Sequence, residues 1–527
     1  MNKFNFFDAF CTTGRHLKSK SDDPFTPSDL LKSMDRTGIS EALVIDCLSR
    51  EHHPAAGNRR ILDEVSDHPR LHPAWSALPH GSADEQPEPE ELIAEMRKHK
   101  VGALFLFPVQ YGFTLSDWAV DAFIEPLAEA GVPVFVNFND NRNKTMDSCA
   151  WPELVEFCCR WPSLPVILTE YRIRRKNRLI YRALEACENL HVELSGYWLY
   201  RGIEYLVQHW GPERLIFGSN WPYLNQSCTA ATVSMAELDE DDRRLVAGDN
   251  LRRLINWCEP EYADVEIPEP EDEFCRFAQS GDRPDNMTFL DCHGHLGGLS
   301  PEYHIPDGEV ARTVGEMERM GVQKACVFSF SVVHSDERYE NDVVADAVSE
   351  YPERFVGFVG INPHRGRENV LEELKRGEEM GLRGIKLILH YQGVSPESPV
   401  IDACCEWADE RRWIVLSHNW GGNERLAGLL EKYTEMCFIA GHANVAYGPL
   451  ARGYENLRIC TCPVHTPGSC ERLVEAAGAD RVMFGSDLQD LPISWGLGPV
   501  LQADLSVGEK QMILRDNLEQ IFSEYTT

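Results

Sequence analysis

The residues best suited to chemistry in this 527-residue chain lie in its C-terminal half. They are the run Asp291-Cys292-His293-Gly294-His295, followed by His418, His442 and Asp487, each of which closes a short apolar stretch. Positions i and i+2 of a strand point to one face, so His293 and His295 aim the same way if the run is a strand. Neutral imidazoles and a carboxylate are donors for Zn²⁺ or Mn²⁺, and a site with one open coordination position keeps a water on the metal. Such a water has its pKa lowered to about 7 and becomes a nucleophile at neutral pH. A lone HxH carries little weight, because an isolated histidine is usually a hydrogen-bonded core or surface residue. The pattern matters only if one fold brings these side chains together.

The elements that would do so are legible as alternation. Buried-strand runs are predicted at Thr288–His293, Lys324–Ser329, Phe355–Ile361, Gly384–Leu389, Trp413–His418, Cys437–His442, Leu457–Cys462 and Arg481–Asp487. Between them lie stretches with apolar residues three and four apart, such as Val310–Met320, Asn369–Met380 and Asn423–Tyr433. Eight rounds of strand and helix imply a closed parallel barrel rather than an open sheet. A doubly wound sheet would carry a glycine-rich phosphate loop after its first strand, and His293-Gly294-His295-Leu296-Gly297-Gly298 is not GxGxxG. In a barrel the working residues stand at the C-terminal strand ends, which is where the three histidine sites and Asp487 fall.

The N-terminal half repeats this pattern. Phe7-Asp8-Ala9-Phe10-Cys11-Thr12-Thr13-Gly14 lies over Leu290 to Gly297, and Met34, Gly38, Asn58 and Pro69 lie over Met317, Gly321, Asn341 and Pro352 at one constant spacing. With slightly shorter spacings, Gly102 and Gln110 match Gly384 and Gln392. Arg214, Phe217-Gly218-Ser219 and Asp249-Asn250-Leu251 then match Arg481, Phe484-Gly485-Ser486 and Asp516-Asn517-Leu518. Each copy has the length at which one (β/α)₈ barrel of about 250 residues closes. Glu259 to Asp285, with Pro260, Pro268, Pro270 and Pro284 among many acids and no apolar periodicity, reads as a linker. The expected organisation is α/β, two fused (β/α)₈ TIM barrels at residues 1–257 and 288–527, joined by an acidic linker at 258–287.

Composition narrows the function classes. Hydrophobic residues make up 43% and charged residues 26%, enough for large cores and unlike a disordered chain. A net charge of −33 repels a phosphate backbone, so nucleic acid is not an expected partner. No apolar run has signal-peptide or membrane-span length, so a cytoplasmic protein without a membrane partner is expected. Seventeen cysteines, with adjacent pairs at Cys158-Cys159 and Cys404-Cys405, lack the framework of a secreted domain and read mostly as reduced core residues. Cys460-x-Cys462 sits in a strand-like run and is not read as a structural zinc site.

Asp-x-His-x-His at the first strand, Val415-Leu416-Ser417-His418, Ala440-Gly441-His442 and Met483-Phe484-Gly485-Ser486-Asp487 together resemble the amidohydrolase-2 family. This is the branch of metal-dependent TIM-barrel hydrolases that includes the aminocarboxymuconate-semialdehyde and hydroxybenzoate decarboxylases. The resemblance implies His293, His295, His418 and Asp487 as ligands of one divalent ion, zinc first and manganese second, with His442 as the catalytic histidine and Asp487 sharing proton transfer. Gly384-Ile385-Lys386-Leu387 is similar to the family's strand-four segment, but Ile388 and Leu389 stand where His-Pro would be, His390 is displaced, and Gln392 keeps its distance. Lys386 would be a carboxylated bridge in binuclear relatives; in this branch a mononuclear site is commoner. Lys386, Tyr391, Asn419, Trp420 and His465 are candidate substrate contacts, and Ser329, Ser331 and His334 are weaker ones, while Asn341 is expected to cap its helix. The leading function is metal-dependent hydrolysis of a C–O or C–N bond, lactone or amide, in a small anionic substrate. Non-oxidative decarboxylation stands second, and a metal-binding sensor or scaffold third.

In the first copy the same positions hold Phe10 and Thr12, Phe138, Glu170 and Asn220, a set with no useful affinity for a divalent ion. That half reads as an inactive barrel, making the chain an internal pseudo-dimer, with a homo-oligomer also expected. Tyr171 to Arg182 carries six basic residues in twelve and no acid. The plain reading is a solvated helix face. The resemblance implies more, since decarboxylases of this family pair so that an arginine past strand six holds a substrate carboxylate in the partner's site. Carried over, that role falls to Arg178 and Arg182.

Overall fold

In the computed structural model the described residues are 4–79, 85–139, 149–169, 172–262 and 266–525. They divide into two compact units: Met1–Trp198 with Gly202–Gly281 and Glu302–His304, and Leu199–Arg201 with Asp282–Pro301 and Ile305–Thr527.

The first unit contains β1 (Phe6–Thr13), β2 (Ile39–Asp46) and β3 (Leu71–Pro73) in one parallel sheet. A second sheet holds β4 (Trp75–Ser76), β5 (Leu104–Leu106), β6 (Val134–Val136), β7 (Val166–Leu168), β8 (Leu190–Glu193) and β9 (Leu215–Ile216). The sheets change over at one residue, where Ala74 N–H donates back to Val44 and Trp75 N–H donates forward to Ala103. Strand β1 also bonds past β9, through Ala9 N–H to Phe217 and Thr12 N–H to Trp221. The interior is largely aromatic, with Phe10 stacked on Phe105 at 5.3 Å and Phe105 on Phe135 at 4.5 Å.

The second unit holds β10 (Phe289–Leu296), β11 (Val322–Ser329), β12 (Phe355–Gly360), β13 (Gly384–Leu387), β14 (Ile414–Ser417), β15 (Cys437–Ala440), β16 (Leu457–Cys460) and β17 (Val482–Met483), paired in sequence order and all parallel. Cys292 N–H to Phe484 and His295 N–H to Leu488 bring the last strand back to the first, so the eight strands form a nearly closed barrel. Its core is built from residues such as Leu290, Phe358, Ile414, Leu416, Ile439 and Met483, with Cys292, Cys326, Cys437 and Cys460 among them. All eight expected strands are present, but six stop short: β12 to β16 each end one or two residues before the predicted limit, and β17 ends four before it. There the chain leaves the sheet to begin the rim loops, which is where polar residues become affordable.

Repeated residues make the same bonds in each unit. Asp8 accepts from Phe10 and Ser219 N–H at 3.2 and 2.9 Å, as Asp291 does from His293 and Ser486 N–H at 2.9 and 3.1 Å. The Asn250 amide donates to Pro212 and Leu215 carbonyls, and that of Asn517 to Ala479 and Val482. Asn58 bonds Ser76 through both backbone groups, as Asn341 bonds Gly360. Asn341 is therefore not a cap. It lies inside the helix Glu337–Glu350, whose N-terminus is capped by Asp336, and uses its amide to satisfy a strand end. The expected linker also differs. It contains a helix, Glu273–Ser280, capped by Asp272, that buries Phe274, Cys275, Phe277 and Ala278, an i, i+3, i+4 face hidden among the acids.

Among the described residues no helix is long and apolar enough to cross a membrane, and no disulfide forms. Fifteen of the seventeen cysteines are buried thiols, Cys149 and Cys159 excepted.

Candidate active site

Strand β10 carries its pleat straight into the barrel mouth. Asp291 is buried and takes up the His293 and Ser486 amides together with the Ser486 hydroxyl, tying the first strand to the last. Burial pushes its carboxyl up to about 7 against those bonds, in keeping with a structural part. Gly485 sits where any side chain would collide, because a Cβ there would lie 2.8 Å from the His293 Cβ.

His293 is fully buried. Its Nδ1 faces the Gly441 carbonyl at 2.9 Å, and a carbonyl only accepts, so Nδ1 carries the proton and Nε2 keeps its lone pair. That Nε2 is 3.0 Å from the Lys386 ammonium and 3.5 Å from Asp487 Oδ1. A backbone carbonyl that orients a ring in this way is the support a ligating histidine ordinarily has. His295 Nε2 donates to Asp487 Oδ1 at 2.8 Å, which leaves its Nδ1 buried with no hydrogen-bond partner. His418, at the end of β14, stacks on His442 at 3.9 Å and lies 5.3 Å from the His293 ring, with both of its ring nitrogens buried and unpartnered. Asp487 stands in the left-handed region at φ 62°, as Asn220 does at φ 55° in the first unit, a conformation that Asp and Asn tolerate better than most residues.

Burial sets the charges. It holds His293 and His418 far below the ordinary histidine range, with Lys386 and the neighbouring imidazoles adding to the effect, and it brings His442 down to about 4. All three are neutral near pH 7, the form in which imidazole binds a metal or accepts a proton. Burial works to raise Asp487, but the His295 hydrogen bond keeps it below the usual carboxylate range and so ionised. Burial also draws Lys386 down to about 7, with Asp487 opposing, and its ammonium rests 4.0 Å over the Phe328 ring. Phe328 and Phe330 pack against His295 at 4.3 and 5.3 Å and give the site an apolar wall. Four imidazoles, a carboxylate and one lysine thus meet in a confined space able to hold a cation and to move protons.

A family model described as amidohydrolase matches residues 19–257 and 290–523. The chain belongs to the amidohydrolase-2 family. A curated relative of this amidohydrolase, 2-amino-3-carboxymuconate-6-semialdehyde decarboxylase of Dictyostelium discoideum, is 29% identical over 131 residues, 23% of this chain and 36% of the relative. The match thus spans about a third of that relative's length. Among solved structures, 2,6-dihydroxybenzoate decarboxylase from Rhizobium is 16% identical over 45% of this chain and 98% of its own, with a TM-score of 0.35. A probable 2-pyrone-4,6-dicarboxylic acid hydrolase from Acinetobacter baumannii is 16% identical over 45% of this chain and 100% of its own, also with a TM-score of 0.35.

The other expected contacts of this amidohydrolase divide. Tyr391 is half exposed and lies 4.0 Å from His390, itself 5.5 Å from His418. Asn419 accepts from Gly421 N–H and the Tyr447 hydroxyl, and Trp420 is buried with its indole N–H on the Ile439 carbonyl, so both hold the rim loop. His465 follows β16 and is partly buried. Ser329 bonds Glu340, Ser331 bonds the Leu299 carbonyl, and His334 is exposed. Gln392 donates to the Ile361 carbonyl.

In the first unit Phe10 and Thr12 are buried at the β1 positions that match His293 and His295, while the strand pairing, Ser76 to Phe105 to Phe135 as against Gly360 to Lys386 to Leu416, matches Phe105 to Lys386 and Asn137, rather than the expected Phe138, to His418. Glu170 lies outside the described residues. The basic run separates by residue, for Arg174 is buried against the Trp198 and Tyr303 rings while Arg182 is 77% exposed and pairs with Glu185 one turn away. Arg178 is exposed on the same helix, Asn177–Ala186.

One residue at the site had been set aside in the sequence, where Cys460-x-Cys462 was not read as a zinc site. Cys462 lies two residues past β16, and its sulfur, His293 and Asp487 offer ligand atoms all within 4.8 Å of one another. The available signal was its i, i+2 relation to Cys460 at a strand end, the same spacing as His293 and His295.

Proposed function

We propose that this amidohydrolase is a metal-dependent decarboxylase of a small unsaturated or aromatic carboxylate, with the chemistry at the mouth of the second unit's barrel. The observation that carries the reading is the donor set. The unpartnered ring nitrogens of His418 and His295 are costly to bury in isolation, and the one lone pair that each neutral ring carries fits a bound cation, as do His293 Nε2 and Asp487 Oδ1. His293, His295, His418 and Asp487 would hold a divalent metal. When bound, the metal supplies a Lewis acid that polarises a substrate oxygen. Lys386, drawn down to about 7, supplies a buried amine that a bound carboxylate would keep protonated, and Phe328 and Phe330 give the site an apolar wall. As the bond to the carboxyl carbon breaks and CO₂ leaves, the electron pair stays on the substrate carbon, which takes a proton that Asp487 or His442, both acceptors at rest, has first drawn from a water. The curated relative's own activity, decarboxylation of a carboxylated semialdehyde, supports this choice.

Hydrolysis of a lactone or amide is the second reading, and a specific observation favours it. Asp487 is held ionised and His442 neutral, so both are proton acceptors suited to activating a water. In either case the first unit is taken as a degenerate second barrel, on the strength of the matched Asp8 and Asp291 clamps and of the bonds joining β1 to the residues past β9.

Product analysis separates the readings. The metal-loaded full chain is incubated with carboxyl-¹³C-labelled hydroxybenzoates and muconate-type semialdehydes, and with lactones and amides. Release of labelled CO₂ in step with substrate loss is expected. Ring opening or amide cleavage without CO₂ would give the hydrolytic reading instead, and a chain that holds metal and small acids but turns nothing over would overturn both in favour of a sensor.

A further inference from the structure

The metal site described above contains one donor of a different chemical kind. Cys462 is 2% exposed, so its thiol is not a surface group. Its backbone is fixed on both sides: Cys462 N–H donates to Cys460 Sγ at 3.3 Å, and Ala443 N–H, next to His442, donates to the Cys462 carbonyl at 3.0 Å. Its sulfur lies within 4.8 Å of a carboxylate oxygen of Asp487. Two donors on one zinc ion at about 2.0–2.3 Å can stand no more than about 4.6 Å apart. The ligand atoms of His293, Asp487 and Cys462 fall within 4.8 Å, so a small side-chain adjustment closes all three on a common ion. Cys460 differs, because its sulfur lies 3.9 Å from His293 Nδ1, the nitrogen engaged with Gly441 rather than the one facing the donors.

We propose that Cys462 is a protein ligand of this metal, its thiolate binding beside His293 and Asp487. The proposal rests on the metal-site reading and sharpens it. A thiolate in the donor set selects thiophilic ions such as zinc, cobalt or cadmium over manganese or magnesium, which prefer oxygen and nitrogen. The sulfur also donates charge to the ion, and it makes the site open to displacement by mercurial reagents.

Cobalt(II) reports the bond directly. The full chain is stripped with a chelator, reloaded with cobalt, and read by near-ultraviolet absorption for a thiolate-to-cobalt charge-transfer band, with bound cobalt measured by elemental analysis. The wild type and Cys460→Ala are expected to give the band. Cys462→Ser is expected to lose it and to bind cobalt and zinc about tenfold or more weaker. A wild type that holds cobalt without the band overturns the proposal even if no variant folds, and so does a band that persists in Cys462→Ser. If the wild type binds neither cobalt nor zinc, the metal-site reading itself has failed.

Discussion

His418→Leu isolates what the donor set does to stability. The neutral imidazole has one donor and one acceptor nitrogen, both buried without a hydrogen-bond partner, and each such group costs about 1–3 kcal/mol. Leucine removes both at similar volume and gives up the stacking on His442 at 3.9 Å, worth about 0.5–1.5 kcal/mol. The chelator-treated variant should therefore be more stable than chelator-treated wild type by about 0.5–5.5 kcal/mol, which at about 2–4 °C per kcal/mol for a unit of this size raises the unfolding midpoint. Zinc acts in the opposite direction. At a free concentration of about 100 times Kd it should add about 2.7 kcal/mol to the wild type and almost nothing to the variant. The assay is thermal unfolding of both proteins with chelator and with zinc. A chelated variant that unfolds several degrees earlier, with the zinc increment intact, would refute the reasoning and make His418 an ordinary core histidine.

His293→Ala and Asp487→Ala should each lose most of about one equivalent of metal by elemental analysis, since each removes a donor. His442→Ala should keep its metal and lose about 10²–10⁴ in kcat, as expected for a group that moves protons. Glu193→Gln concerns the first unit, where burial raises the carboxyl from 4.5 to about 8. The native state thus favours the protonated acid, and stability is fully present below pH 4.5 and falls as pH rises toward 8, by at most about 5 kcal/mol. The variant should leave that slope nearly flat and unfold later than wild type at pH 8, with little difference at pH 4.5; equal pH slopes would show Glu193 to be ionised in the native state.

How much of this was legible depended on what each residue's role requires. Strands and helices of the second unit could be read because burial on both faces of a parallel sheet leaves long apolar runs, and Val310–Met320 is helical over the span its periodicity gives. The HxH pair was readable because a two-residue spacing fixes a face before any tertiary structure is known. Neither argument reaches Lys386, which the family resemblance alone singled out and whose contact with His293 joins strands far apart in sequence, nor Cys462, which looks like any other core cysteine until β16 is set beside β10 and β17. Asn341 was misread because an Asn near a helix start suggests a cap. Its amide serves Gly360, nineteen residues on. The helix Glu273–Ser280 was overlooked because one apolar face of four residues is diluted by the acids and prolines around it.

The matched positions in the two units separate what the fold needs from what the chemistry needs. Asp8 and Asp291 both take up a Ser hydroxyl and two amides at the join between the first and last strands, and Asn250 and Asn517 both satisfy carbonyls near the final strand. Those contacts persist wherever the backbone must close, so the acid of the Asp-x-His-x-His run belongs to the framework even though it adjoins the donors. The positions that differ are those whose side chains point into the mouth. There Phe10 stacks on Phe105 where His293 faces Lys386. Filling that space with aromatic rings replaces a set of polar groups, each needing a partner, by dispersion contacts that need none. A lone imidazole among those rings would be buried without a partner, so an aromatic filling and a donor set are alternatives that do not mix in one interior.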